Sequence, residues 1–151
     1  MEVMHTEMPA QHHIDNHEKI IVTKWIGEAT DDSLLQALKN YQAEIQNDTR
    51  CLGYDDVVDF RDVPTFKISI KGLKNIGKTA SSTDQHRLDT CVAFIVSTNL
   101  AVNLVKLYAA YRNFGKMPKK YIRAFKNEAE AYEWVRNNRQ ANHLSSHGAD
   151  V

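Results

Sequence analysis

Asp59, Arg61 and Asp62 crowd the far end of the stretch 54–66, YDDVVDFRDVPTF. Two carboxylates beside a guanidinium offer three kinds of chemistry. They can divide acid and base work, provided a water-poor pocket raises one pKa. They can form a polar rim around a ligand or partner, or they can close on themselves as an internal ion pair and turn. The spacing leaves all three open. Because the residues before Asp59 are apolar, the stretch is predicted to be a strand ending at a charged sheet edge. In open α/β sheets, ligands gather at the carboxyl ends of strands.

Ser69 is the second candidate. A phosphate on it would sit at the positive end of a helix near Lys67 and Lys71. The same residue serves equally as a plain N-cap. The histidines fall into two groups, His5, His12, His13 and His17 near one end and His143 and His147 near the other. Zinc needs convergent ligands in a folded shell, and Ser145, Ser146 and Gly148 weigh against a helix around the second group, so neither a metal nor a cofactor is expected. His86 stands beside Asp84 and Arg87 in a polar loop. Cys51 falls in a polar loop and Cys91 in an apolar run, and no disulfide between them is expected.

The elements that must carry these residues follow from periodicity. The segment 12–26 reads as a strand, a turn at 15–17 and a second strand containing Ile20, Ile21, Val22 and Trp25. Thr30 with Asp31 and Asp32 opens a helix over 31–46, spaced by Leu34, Leu38, Tyr41 and Ile45. After the strand closed by Pro64, Ile70, Leu73 and Ile76 mark a short helix with Lys71, Lys74 and Lys78 on its other face. Six apolar residues from Cys91 to Val96 form a strand covered on both faces. Residues 99–113 form a third helix, with Asn103, Lys106 and Asn113 as its narrow polar stripe. A last strand over 121–125 leads through Asn127 and Glu130 into a fourth helix whose core side is Ala131, Trp134 and Val135.

The order β-β-α-β-α-β-α-β-α implies an α/β fold, a mixed and largely parallel sheet of about five strands with about four flanking helices. At 151 residues this is one domain, taken as 12–138, with a flexible arm over 1–11 and a disordered tail over 139–151. Equal numbers of basic and acidic residues, 19 of each, argue against a dedicated nucleic-acid binder. Charge is nevertheless uneven: Arg112, Lys116, Lys119, Lys120, Arg123 and Lys126 fall together without an acid, which either steers an anionic partner or solvates a loop. Tyr111, Phe114 and Tyr121 beside them are assigned to the core. No window approaches the roughly 18 apolar residues of a membrane span, and the N-terminus lacks a signal pattern, so a cytoplasmic protein is expected.

Three strings, GEATDDSLL, VVDFRDV and AFKNEAEAYEWV, in this order of elements make residues 12–136 resemble the STAS-like domains related to the bacterial sporulation anti-anti-sigma factor, in particular the small stand-alone type. The resemblance implies a regulatory or ligand-sensing module that is not an enzyme. Phosphorylated members carry an Asp-Ser-Ser-Gly-like turn at the start of the helix after the third strand. Here that segment reads Phe66-Lys67-Ile68-Ser69-Ile70-Lys71-Gly72, so Ser69 is the nearest match while its neighbours differ.

The expected function is therefore a regulatory or protein-interaction module, with Asp59, Arg61, Asp62 and Ser69 as its candidate residues. The alternative is a binder of a small apolar or amphipathic, lipid-like ligand between the third helix and the sheet. In the third helix Leu100, Leu104, Leu107, Tyr108 and Tyr111 present more apolar area than one face needs, which suits a ligand pocket, a homodimer contact or plain core packing.

Overall fold

A hairpin opens the sheet. In the structure, a computed structural model that describes residues 9–46, 48–82, 90–114 and 120–148, β1 (Ala10–Asp15) runs antiparallel to β2 (Ile20–Trp25). Strand pairing begins at Ala10, inside the segment expected to be an arm. The turn between the strands is tied by Asp15, whose carboxylate accepts from the backbone N–H groups of His17 and Glu18 at 3.0 and 2.9 Å.

From β2 onward a helix separates each strand of the main sheet from the next. The short β3 (Ala29–Thr30) leads into α1 (Asp31–Tyr41), which continues as a wider π-type turn, Gln42–Gln46. Next come β4 (Asp55–Asp59), the short β5 (Phe66–Lys67), α2 (Ile70–Ser81), β6 (Cys91–Ile95), α3 (Asn99–Asn113), β7 (Tyr121–Phe125) and α4 (Glu128–Gly148). The main sheet has the order β1-β2-β4-β6-β7, parallel from β2 to β7, and β3 pairs with β5 in a small parallel sheet of its own. The mixed α/β sheet of five main strands and four helices is the expected architecture. The two-residue strands β3 and β5 were not expected, being too short to show a period.

The chain steps across the sheet in one direction from β2 to β7. Right-handed crossovers then place α1, α2 and α3 on the same face, and α4 returns over the other. Beneath α4 lies a filled core of Ile20, Val57, Cys91, Ala93, Ile95 and Phe125 against Ala131 and Val135. The opposite face holds smaller clusters around Trp25, Ala29, Ala37 and Val63 and around Val96, Ala101 and Val105.

Local chemistry sets the helix starts. Thr30 and Ser33 form a reciprocal capping box, Ser33 N–H donating to Thr30 Oγ1 at 3.1 Å and Thr30 N–H to Ser33 Oγ at 2.8 Å. Asn127 Oδ1 accepts from the N–H of Glu130 at 3.1 Å and starts α4. That helix runs to Gly148, well past the expected end at Asn138. Its polar composition resembles a tail, yet no Gly or Pro interrupts it before Gly148, so nothing local stops it.

Candidate functional site

The charged edge resolves into ion pairs. β4 ends at Asp59 because its carboxylate accepts the Arg61 backbone N–H at 2.9 Å, turning the chain, and the Arg61 guanidinium through two further bonds at 3.0 and 2.8 Å. Arg61 also reaches Glu128 at 3.2 Å, and Asp62 pairs with Lys24 at 3.2 Å. Burial pushes the Asp59 carboxyl up, but the bonds from Arg61 outweigh it and hold the group below the usual carboxylate range. Asp59 is thus an ionised anchor, and its geometry joins β4 to the start of α4.

Ser69 caps α2, accepting from the N–H of Gly72 at 2.9 Å. It is also held from outside. The Asp31 carboxylate accepts from Ser69 N–H at 2.9 Å and from Ser69 Oγ–H at 2.6 Å. A negative charge from the first turn of α1 therefore rests on the positive end of α2. A phosphoryl group on Ser69 would stand against that carboxylate. Gly72 leaves room for it, since a Cβ there would come 2.1 Å from Asp31 Cγ.

The face beneath α1, α2 and α3 is not filled. A cavity of about 190 Å³ separates these helices from the sheet. Toward the carboxyl ends of the strands it is lined by Trp25, Phe60, Phe66 and Val96, with Leu34, Leu73 and Leu104 on the helical side. Polar groups gather toward the amino ends, where Asp56, the second residue of β4, accepts from the Tyr41 hydroxyl, and where Lys120 and the 4% exposed Arg112 also line the wall. His12 and Thr23 stand next along the sheet face, hydrogen-bonded between Nδ1 and Oγ1 at 2.7 Å.

The His12 ring also lies 5.3 Å from that of Tyr41. Burial lowers its pKa below 6.5, with the charge of Glu44 partly opposing. The fold prefers neutral His12, so the unfolded chain takes up a proton first as pH falls. Stability should then decline from the 6.5 of the free side chain down to the lower folded value. Thermal unfolding across about pH 7 to about pH 5 is expected to show a steeper loss for the wild type than for His12→Gln. Parallel curves for the two proteins would remove His12 as the cause.

Of the five α3 residues proposed for a pocket, Leu104 and Tyr108 line the cavity. Leu100, Leu107 and Tyr111 do not. Leu100 and Leu107 are 63% and 39% exposed, and Tyr111 lies under the ammonium of Lys74 at 5.4 Å. The inward stripe is Ala101, Leu104, Val105, Tyr108 and Arg112, the 3.6-residue phase that points to the sheet. Phe114, assigned to the core by pattern, is 85% exposed, and Tyr121 is also exposed. The strongest residues missed were His12, Asp56 and Arg112. Strand alternation beginning at Ala10 would have placed His12 on the inner face, and the helical phase of α3 would have done the same for Arg112.

His5, Asp84, His86, Arg87, Lys116 and Lys119 lie outside the described residues, as do 1–8 and 149–151 of the expected arm and tail. Both cysteines are free. Burial, reinforced by the neighbouring charge of Asp55, pushes the Cys91 thiol far up. Among the described residues, no helix is long and apolar enough to cross a membrane.

No family model matches this sequence. No curated protein sequence matches it either. In three dimensions the chain is similar to an uncharacterised protein of the DUF3478 family from Shewanella loihica PV-4, described as having a SpoIIAA-like fold. The TM-score is 0.52 at 13% identity, over 83% of this chain and 91% of that one. At such identity the likeness concerns architecture, and it agrees with the element order derived above: the chain has a SpoIIAA-like fold.

Proposed function

We propose that this chain is a non-catalytic, STAS-like binding module that takes up a small apolar or amphipathic molecule between the sheet and α1, α2 and α3. The cavity of about 190 Å³ carries this reading. Its wall is chiefly apolar, with polar groups drawn to one side, the usual composition of a small-molecule site. An apolar cavity of roughly 150 Å³ already holds benzene, so the space here suits a compact guest better than a long-chain lipid. The non-catalytic part rests on Asp59, which is held ionised by Arg61, and on the Cys91 thiol, which burial makes inert.

Trp25 reports on the cavity, because its ring is buried and forms part of the wall. Native mass spectrometry of freshly purified protein is expected to show an added small mass. Titration with small apolar probes should change Trp25 fluorescence, and Trp25→Phe should abolish that response while leaving Trp134 emission. A bare mass, together with a silent Trp25 across aliphatic and aromatic probes, would dispose of the proposal.

A second reading, association of two copies, is favoured by one observation. Leu100 and Leu107 are exposed seven residues apart on the outer side of α3, and Phe114, just past the end of that helix, is exposed as well. The same mass spectra decide it, since this reading requires a dimer.

A further inference from the structure

We infer that the guest of this cavity is a small planar aromatic molecule, of one ring or two fused rings, that carries a polar substituent. The inference rests on the binding reading above and narrows it to a ligand class.

Five rings cluster in a wall that is otherwise largely aliphatic. Phe60, just beyond β4, and Phe94 of β6 lie in parallel planes with their centroids 5.9 Å apart. Phe66 meets Phe60 at 74°, and Tyr108 meets Phe94 at 83°, both with centroids 5.7 Å apart. Trp25 tilts against Phe60 from β2 at 5.7 Å. All five line the cavity.

An aromatic ring has a negative face and a positive edge, and pairs of rings favour offset or edge-to-face contact. Here Phe60 and Phe94 lie parallel to each other, and Phe66 and Tyr108 are set at steep angles to them. A planar guest can therefore satisfy face and edge contacts together. A flexible chain of equal volume gains only dispersion from the same wall and loses rotamer freedom on entry. Size agrees with the ring chemistry, because the cavity is modestly larger than the roughly 150 Å³ space that takes up benzene.

One side of the site sets the substituent. Thr23 pairs in register with Val58, and Val58 with Phe94, so the Thr23 hydroxyl stands level with the ring wall while Asp56 lies nearer the amino ends. A guest lying on the rings with an O–H or N–H group pointing toward Asp56 would place that group on the amino-end side of the ring wall.

Isothermal titration calorimetry of the full chain with indole and with octan-1-ol, an aliphatic probe of comparable size, tests the inference. Indole is expected to bind at least about tenfold more tightly. Phe60→Leu and, separately, Phe94→Leu keep the wall apolar while removing a ring face. Each should erase most of the preference by weakening indole by a larger factor than octan-1-ol. Equal or tighter binding of octan-1-ol to the wild type would overturn the aromatic assignment and leave the binding module standing. An unchanged preference in both folded leucine variants would overturn it as well. Failure of both probes to bind the folded wild type would instead sink the binding reading itself.

Discussion

Ala37→Leu is expected to abolish guest binding and at the same time stabilise the empty protein. Ala37 is buried on α1, and its methyl group contributes to the cavity wall. Leucine places an isobutyl group in space that no side chain occupies, on a helix that accepts leucine readily. Filling such space commonly gives about 0.5–2 kcal/mol, which in a chain of this length is a rise of a few degrees in Tm. Binding should fall by more than about a hundredfold, because the guest and the new side chain compete for one volume. The two readouts move in opposite directions, so calorimetric titration and thermal unfolding of one variant separate a cavity from ordinary packing. If Ala37→Leu destabilises by the 1–3 kcal/mol typical of overpacking, the space is already filled.

The second large effect concerns the carboxylate shared between two helices. Asp31→Ala removes two hydrogen bonds to Ser69 and the charge at the end of α2, and should cost about 2 kcal/mol. Gly72→Ala should cost a similar amount in the wild type, although alanine is the better helix former, because its Cβ would occupy the position of the Asp31 carboxylate. In an Asp31→Ala background that obstacle is gone, and Gly72→Ala should become stabilising by up to about 1 kcal/mol. The sign of one substitution thus reverses with the identity of a residue on another helix. Chemical denaturation of the four proteins of this cycle measures the coupling, and additive effects would show that the contact contributes nothing.

How much of this was legible follows from what leaves a local trace. The parallel sheet was readable from Cys91–Val96, six apolar residues that only a strand covered on both sides would carry, and from the alternation of such runs with helical spacing. Thr30 and Ser69 were readable as caps because an N-cap acts within its own turn. Asp31 was read the same way, as a first-turn acid of α1. Its second partner is on α2, and no spacing along the chain signals a contact of that range. In α3 the difficulty was phase. With apolar residues on nearly every side, Leu100 and Leu107 look as internal as Leu104, and the buried Arg112 falls outside any rule that sorts residues by polarity. The cavity itself is space left between α1, α2 and the sheet, set by how far the helices stand from the strands and not by the type of any one residue.

The two faces of the sheet also differ in volume. The face under α4 holds a buried core, whereas the face under α1, α2 and α3 leaves about 190 Å³ in a partly open apolar cavity. Where such apolar space stays dry, its loss makes the volume change of unfolding more negative, so hydrostatic pressure would act on this fold chiefly through that layer. A bound guest would cancel that term by replacing empty space with matter. The empty protein is then the compressible form and the loaded one the stiff form.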